Sequence, residues 1–271
     1  MVIMLRYEIL LLVLAFLQLT LAISSKKGVG IHHSHYLCAD TWRFDGISWW
    51  YNWLPDQRER SKWWANCTEG TTARSGFIPM IMTEKQVPDS VVLWQDSDTV
   101  LGFNEPNWGG PQAGLSPERA AMLWEKVEEK AGGRYLVSPA IGGCDRARDQ
   151  CLEWFDKFFE ACHDCRVDGL AFHSYSCDTD LIMEAIKVLY NRYGEREIWL
   201  TEIGCEHKSS VDEIIEFMKE LFPRLEESSE VRAYAWFAHR HTNPDIPHTS
   251  LMEPHRPALN RLGRFYNDYG K

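Results

Sequence analysis

The chain has 271 residues, a net charge of −10 at pH 7 and 12 tryptophans. The acidic balance and the lack of a basic stripe argue against a nucleic-acid partner. The tryptophan content suits sugar binding, because pyranose rings stack on indole faces, although more than half of these rings are expected to be core packing.

The first 22 residues predict a signal peptide. Arg6 precedes the apolar run ILLLVLAFLQLTLA, which is long enough for a signal-peptide core but short for a membrane span. Thr20 and Ala22 are small residues at the offset that cleavage after Ala22 requires. We therefore expect a secreted chain of residues 23–271, able to associate with a cell wall and without a membrane contact after cleavage. An uncleaved signal anchor is the alternative.

All eight cysteines lie in the predicted mature part. They are Cys38, Cys67, Cys144, Cys151, Cys162, Cys165, Cys177 and Cys205. An even number in a secreted chain predicts disulfides, whose pairing the sequence leaves open. The Cys162-x-x-Cys165 pair lacks a second pair at zinc-ligand spacing, so a structural bridge is expected there too. Asn66 begins a glycosylation sequon whose middle residue is Cys67.

Eight short apolar runs alternate with amphipathic stretches, and each run predicts a strand covered on both faces. The predicted strands are GVGIH (28–32), GISWWYNW (46–53), GFIPMIM (76–82), TVLGFNE (99–105), RYLVSPAIG (134–142), VDGLAFHSY (167–175), EIWLTEIG (197–204) and VRAYAWFAH (231–239). No Gly-rich phosphate loop follows any of them, which disfavours an open doubly wound sheet. We expect a single α/β domain folded as a (β/α)8 TIM barrel, whose usual size is about 250 residues.

Several intervening segments carry helix signals. Ser116-Pro117 combines an N-cap with a first-turn proline, and Ser210 with Glu213 predicts a capping box. Apolar residues recur at helical spacing in CLEWFDKFFEAC and in LIMEAIKVLYNRYG, which ends in a glycine cap. The segment ALNRLGRFYNDY predicts a closing helix.

Two glutamates stand where predicted strands end, Glu105 on the fourth strand and Glu202 on the seventh. In such a barrel the reacting groups lie at the carboxyl ends of the strands, and these two strands are roughly opposite each other. Two facing carboxyls are what cleavage of a glycosidic bond requires. A single glutamate here would more often be a solvated rim charge, but the pair favours catalysis. Asn104 adds a neutral donor beside Glu105.

Five segments follow one another along the chain: GFNEPN, LVSPA, FFEACHDCRVDGLAFHSY, IWLTEIGC and YAWF. Together they resemble glycoside hydrolase family 128, and the resemblance extends from about Gly28 to Tyr266. The Asn-Glu and Thr-Glu pairs also resemble the wider clan A of retaining glycosidases. The resemblance implies endo-acting hydrolysis of β-1,3-glucan with retention, with Glu105 as general acid/base and Glu202 as nucleophile. We expect the carboxyls about 5–5.5 Å apart. Burial and a neighbouring negative charge should raise the pKa of Glu105, and hydrogen bonds should hold down that of Glu202.

The same resemblance implies substrate-binding residues. His173 and Tyr175 share one face of their strand, and the resemblance turns that face inward, where the Tyr175 hydroxyl reaches Glu202. A core His-Tyr pair is the alternative for His173. Trp236 is expected as a platform beneath the sugar, or else as a core ring. Further cleft-lining candidates are Asn52 and Trp108.

The chain departs from the family near its start, where members often carry a tryptophan soon after the first Gly-x-Gly and this sequence reads GVGIHHSHYLC. Two groups of histidines are candidate metal ligands: His32, His33 and His35 form one, and His239-x-His241 forms the other. Neither group has helical i, i+4 spacing or an associated carboxylate motif, and the glycosidase mechanism needs no metal. We expect neither a metal nor a cofactor.

The leading hypothesis is a secreted, monomeric retaining endo-β-1,3-glucanase with a polysaccharide substrate. A transglycosylase, or a hydrolase of another β-glucan or mannan, would use the same two carboxylates. A wall-associated glucan-binding protein with weak or lost activity would not need both Glu105 and Glu202. A thiol oxidoreductase built on Cys162 and Cys165 is disfavoured, because that motif lies within a helix-to-strand connection.

Overall fold

The computed structural model describes residues 23–58, 67, 73–208 and 210–271. The predicted signal peptide, residues 1–22, and the Asn66 sequon lie outside these residues. Among the helices of the described segments, none combines the length and the apolar character needed to cross a bilayer.

The described chain forms one parallel sheet of seven strands. In chain order these are β1 (Lys27–Gly30), β2 (Trp49–Tyr51), β3 (Thr99–Val100), β4 (Tyr135–Gly142), β5 (Gly169–Ser174), β6 (Glu197–Ile203) and β7 (Val231–Trp236). Their spatial order is β2-β1-β7-β6-β5-β4-β3, and every pairing is parallel. The carboxyl ends of all seven strands therefore lie along one edge of a curled sheet in a single α/β domain.

The third predicted strand, 76–82, is not a regular strand, so seven of the eight predicted strands form ladders in the described residues. This segment makes only single parallel bridges, from Phe77 to Trp50 in β2 and from Met80 to Leu101 after β3. Pro79 stands between the two bridges and lacks the N–H that a continuous ladder needs. The segment thus lies beside both edge strands of the sheet without forming a ladder with either.

Within the described ranges one α-helix follows each of the strands β3 to β7: α1 (Pro117–Ala131), α2 (Arg148–Ala161), α3 (Thr179–Arg192), α4 (Val211–Glu227) and α5 (Arg261–Asp268). The predicted N-caps are confirmed, because Ser116 accepts from the N–H of Arg119 at 3.2 Å and Ser210 accepts from the N–H of Glu213 at 3.3 Å. Gly194 follows α3 with a φ of +74°, in keeping with the predicted glycine stop.

The buried residues form two clusters on opposite faces of the sheet. On β6, Ile198 and Leu200 belong to the larger cluster, which also contains Trp124 of α1 and Phe155 of α2. Trp199, between them, belongs to the smaller cluster. Because side chains alternate along a strand, the larger cluster lies between sheet and helices and the smaller one on the inner face. Both faces are apolar, as the continuous apolar runs predicted.

All eight cysteines are paired, as predicted. The disulfides are Cys38–Cys67, Cys144–Cys151, Cys162–Cys165 and Cys177–Cys205. The last of these joins the segment after β5 to the segment after β6. Those two segments carry Tyr175 and Glu206, which line the site described next.

Candidate active site

Glu105 lies at the carboxyl edge of the sheet, just beyond β3. Asn104 makes a single parallel bridge to Ala140 of β4, and the N–H of Glu105 donates to the Ala140 carbonyl at 2.8 Å. Glu105 has a φ of +43°, an unfavourable backbone conformation for a non-glycine residue that clusters at functional sites. Its side chain is only 4% exposed. The predicted position of Glu105 at a strand end is therefore confirmed.

Glu202 lies within β6 near its carboxyl end and is surrounded by donors. Its Oε1 accepts from the indole N–H of Trp53 at 2.9 Å, and the hydroxyl of Tyr51 lies 3.5 Å from the same oxygen. Its Oε2 accepts from the hydroxyl of Tyr175. The predicted contact between Tyr175 and Glu202 is therefore present. Burial and the nearby carboxylates raise the pKa values of Tyr51 and Tyr175 well above 10.0, so both hydroxyls keep their protons. Tyr175 donates its proton to Glu202, whereas Tyr51 donates to the carbonyl of Thr201 at 2.9 Å.

His173 lies between the two glutamates and is fully buried. Its Nδ1 is 2.8 Å from Oε1 of Glu105 and 3.4 Å from Oε2 of Glu202, and its Nε2 is 3.0 Å from Oγ1 of Thr201. One carboxylate oxygen of each glutamate and one ring nitrogen of His173 all lie within 4.8 Å of one another. The three side chains form a compact group in which a proton can be shared.

The electrostatics of this group are dominated by burial. Burial raises the pKa of Glu202 above 4.5, and its effect exceeds the opposing effects of His173 and of the donors Tyr175 and Trp53. The hydrogen bonds act in the predicted direction, but burial outweighs them, because the carboxylate has been removed from water. Burial acts to lower the pKa of His173, but the combined attraction of Glu202 and Glu105 raises it above 6.5.

A cleft of about 330 Å³ opens over the two carboxylates. Besides these it is lined by His32, His33, Trp53, Met82, Asn104, Trp108, Pro111, Gln112, Tyr175, Glu206, Phe237, Asn243, Asp245 and Ile246. A larger depression of about 720 Å³ lies along α4, but its lining, which includes Asp212, Glu216 and Lys219, contains neither carboxylate. The smaller cleft is therefore the candidate site.

Two of the predicted binding residues line this cleft on the side of Glu105. The ring of Trp108 lies against Gly142, where an added Cβ would be only 2.7 Å from it, so glycine makes room for the indole. The Nδ2 of Asn104 donates to Oε1 of Gln112 at 2.8 Å. Its Oδ1 is buried and has no hydrogen-bond partner within the described chain. Asn104 thus offers the cleft an acceptor, whereas the sequence predicted a donor.

Trp236 does not lie beneath a sugar. It is fully buried, its indole N–H donates to the carbonyl of Thr249 at 2.7 Å, and its ring packs near Tyr266 of α5. Trp236 points toward the helices, on the same face of β7 as Tyr234. The predicted platform is therefore wrong, and Phe237, one residue later, lines the cleft instead.

Asn52 is also displaced from its predicted role. It is buried outside the cleft lining, and its Oδ1 accepts from the N–H of Leu54 at 3.1 Å. Trp53 lines the cleft in its place and packs on Phe237 with ring centroids 5.6 Å apart. Trp53 lies on the same face as Trp49 of β2, and this face points to the inside of the curled sheet. The alternation along β2 groups Trp53 with Trp49 and Tyr51, but it does not say which of the two apolar faces is the inner one.

Distance alone would allow Glu105, His173 and Glu202 to hold a small cation. Hydrogen bonds already join these atoms, so we treat the group as proton-sharing carboxylates and not as metal ligands. The histidine cluster at the cleft rim has a different character. The rings of His32 and His33 stack with centroids 5.1 Å apart, and burial lowers the pKa of His32 to about 3 and that of His241 to about 4. His32 and His241 are therefore neutral rings at neutral pH.

A family model described as glycosyl hydrolase catalytic core matches residues 28–266. A subgroup II family 128 endo-β-1,3-glucanase from Sorangium cellulosum is 30% identical with a TM-score of 0.72, covering 90% of this chain and 98% of that one. A subgroup I enzyme from Amycolatopsis mediterranei, a variant in complex with laminarihexaose, is 29% identical with a TM-score of 0.71 and the same coverage.

A curated relative is the alkali-sensitive linkage protein 1 of Schizosaccharomyces pombe, which is 26% identical over 227 residues. The match covers 80% of this chain and 39% of that protein. The chain therefore spans about two fifths of the length of this relative.

Proposed function

We propose that this chain, which belongs to the glycosyl hydrolase catalytic core family and matches family 128 enzymes over nearly its whole described length, is a glycosyl hydrolase that cleaves internal linkages of β-1,3-glucan with retention. The observation that carries the proposal is the pair of buried carboxylates, Glu105 and Glu202, whose oxygens lie within 4.8 Å at the base of an open cleft.

The separation of the two carboxylates supports retention. Retaining glycosidases hold their carboxyl groups about 5–5.5 Å apart, whereas inverting ones need about 6.5–9.5 Å to admit a water between carboxylate and sugar. The short distance between Glu105 and Glu202 leaves no such room. This supports direct attack on the sugar by one of the two carboxylates.

We assign Glu202 as the nucleophile and Glu105 as the general acid/base. Glu202 receives hydrogen bonds from Tyr175 and Trp53, which favour its ionised form against the cost of burial. In the first step Glu105 protonates the leaving oxygen while Glu202 bonds to the anomeric carbon. In the second step Glu105 takes a proton from the water that releases the sugar.

The remaining residues of the cleft suit a chain of glucosyl units. The unpartnered Oδ1 of Asn104 is proposed to accept from a sugar hydroxyl, and Trp108 to stack on a ring at the Glu105 side. Trp53 and Phe237 supply the aromatic surface that Trp236 was expected to provide. His173 is proposed to act on the two carboxylates and not on the sugar.

The proposal also includes closure of the barrel, secretion of the protein and a monomeric active unit. The bridges of 76–82 to both edge strands support a closed barrel of eight positions, one of them interrupted by Pro79. Four disulfides support secretion after removal of residues 1–22. N-terminal sequencing of the secreted protein should begin at Ile23. One chain supplies both carboxylates and the whole cleft, so a monomer is the proposed active unit.

The test is product analysis on a linear β-1,3-glucan. Wild type should release short oligosaccharides whose newly formed ends have the β-anomeric configuration by NMR, and Glu105→Gln and Glu202→Gln should each lose activity by about 10²-fold or more. Glu216→Gln, an exposed site on α4, is the matched control. Intact glucan that is nevertheless bound by the wild type would support the glucan-binding alternative and contradict the proposal.

A further inference from the structure

We infer that His173 is a counter-charge shared by both halves of the double displacement, and that the Thr201 hydroxyl is the positioning group that keeps it between Glu105 and Glu202. This inference rests on the proposed function, because it concerns the movement of charge between the same two carboxylates. Thr201 is not among the site residues that the sequence predicts.

The geometry places one ring nitrogen against both carboxylates. Nδ1 of His173 lies 2.8 Å from Oε1 of Glu105 and 3.4 Å from Oε2 of Glu202. The imidazole is fully buried, so water cannot replace either contact. A single Nδ1–H can therefore donate to whichever carboxylate carries the negative charge, with only a small reorientation.

The two chemical steps move that negative charge from one carboxylate to the other. In the first step the bond from the anomeric carbon to the leaving oxygen breaks, Glu202 forms an ester with that carbon, and the proton of Glu105 passes to the leaving oxygen. Glu202 is then neutral and Glu105 is ionised. In the second step the oxygen of water bonds to the anomeric carbon, its proton returns to Glu105, and the ester bond to Glu202 breaks.

The charged imidazole of His173 therefore has an ionised partner at each stage. Glu202 is the partner in the free enzyme and Glu105 is the partner in the glycosyl-enzyme. In a buried site, a fixed donor that already faces both positions stabilises the developing charge without rearranging. The raised pKa of His173, which results from Glu202 and Glu105 outweighing burial, supports a protonated ring in the free enzyme.

A β-bulge explains why Thr201 reaches the same ring. The register of β5 with β6 pairs Phe172 with Leu200 and then His173 with Glu202, so Thr201 is the extra residue of β6. Bulges of this kind re-aim side chains next to active sites. Here two consecutive residues, Thr201 and Glu202, both contact His173, which ordinary strand alternation would forbid.

A hydroxyl is the right partner for a ring that changes its protonation. Oγ1 of Thr201 lies 3.0 Å from Nε2 of His173; it can accept from Nε2–H when the ring is charged and donate to Nε2 when the ring is neutral. Thr201 is itself only 1% exposed, and its carbonyl accepts from the hydroxyl of Tyr51 at 2.9 Å. The residue is thus held in place independently of the ring.

The titratable groups that face His173 come from several elements. Glu105 follows β3 and Glu202 lies on β6, and both contact the ring. Tyr51 of β2 and Tyr175, just after β5, adjoin the carboxylate of Glu202. A change in the charge of His173 must therefore change the pKa values of both carboxyl groups.

Thr201→Val tests the role of the hydroxyl, with Thr201→Ser as the conservative variant. The valine variant leaves a buried Nε2–H without a partner, which disfavours the charged ring. We expect kcat to fall about ten- to a hundredfold, the usual effect of losing a hydrogen bond to a charged group. With less positive charge nearby, Glu202 is harder to ionise, so the acid limb of the pH profile should move to higher pH. The serine variant should recover most of both changes.

An NMR titration of histidine-labelled protein gives a readout that needs no activity. The pKa of His173 should fall in Thr201→Val and be restored in Thr201→Ser. An unchanged pKa and an unchanged pH profile in a folded valine variant would overturn the inference. If the wild type does not hydrolyse β-1,3-glucan, the proposed function fails, while this titration still measures the coupling of Thr201 to His173.

His173→Gln tests whether the counter-charge serves both steps. An aryl β-glucoside or aryl laminaribioside with a good leaving group allows the burst to report the first step and the steady state the second. We expect both rates to fall, since Gln offers a donor without a charge. A decrease in only one of the two rates would contradict a shared role.

Discussion

Tyr175 donates its phenolic hydroxyl to Oε2 of Glu202, from the segment after β5 to the neighbouring strand β6. The same two segments are joined by the Cys177–Cys205 disulfide and by the N–H of Glu206, which donates to the carbonyl of Tyr175 at 2.9 Å. A covalent bridge and a backbone hydrogen bond therefore fix the phenol on the carboxylate. This donor is held in place before any substrate arrives.

Tyr175→Phe should lower kcat about ten- to a hundredfold, because the ionised Glu202 loses one of its hydrogen bonds. The pKa of Glu202, already raised by burial, should rise further, so the acid limb of the pH–rate profile should move to higher pH. Tyr193→Phe is the matched control, since Tyr193 also donates to a carboxylate, Asp156 at 2.9 Å, but between helices. A control that shifts the acid limb as much as Tyr175→Phe would refute the explanation.

Glu202→Gln should raise the thermal stability of the protein at neutral pH. The folded-state pKa of Glu202 lies above 4.5, so the stability that this group contributes is complete below its unfolded pKa and is lost as the pH rises through the folded pKa. The advantage of the variant should therefore grow between acidic and neutral pH. Melting temperatures measured across this range check it, with exposed Glu216→Gln as control. A wild type that gains on the variant as pH rises would contradict it.

Substitutions of Trp53 and Trp236 should have different effects, because the first residue lines the cleft and the second is part of the core. Trp53→Phe removes the indole donor to Glu202 at 2.9 Å and should lower kcat/KM about tenfold or more. Trp236→Phe removes buried volume and the hydrogen bond to Thr249, and should cost about 1–3 kcal/mol of stability with KM nearly unchanged. Glucan kinetics and denaturant unfolding of both variants decide the matter. The reverse pattern would reinstate Trp236 as the platform.

His33→Ala should raise KM for long β-1,3-glucans about three- to tenfold and leave kcat nearly unchanged. His33 lines the cleft and stacks on His32, so its loss removes ring surface from the cleft and leaves both carboxylates in place. His163→Ala, an exposed histidine next to Cys162, is the control. Comparing laminari-oligosaccharides of increasing length measures the effect. A decrease in kcat with KM unchanged would place His33 nearer the chemistry than the cleft geometry implies.

The sequence alone was enough to place the two acidic residues of the site at the carboxyl ends of their strands. Glu105 and Glu202 follow apolar runs, and the carboxyl ends of parallel strands must meet along one edge. The N-caps of α1 and α4 were also readable, because a cap is a contact between neighbours in the chain. The same locality explains why the even cysteine count predicted disulfides but not their pairing, which joins residues up to 29 positions apart.

Only the tertiary structure decided which side of each strand faces the cleft. Both faces of these strands are apolar, so a period of two in the sequence does not distinguish inside from outside. For this reason the sequence-based prediction of cleft residues was wrong by one position in two strands. It named Asn52 and Trp236, whereas their neighbours Trp53 and Phe237 line the cleft. The bulge that turns Thr201 toward His173 depends on the register of β6 against β5, and the raised pKa of Glu202 depends on burial by several elements at once. These are properties of the packed barrel-like sheet, because they arise only where distant segments of the chain meet.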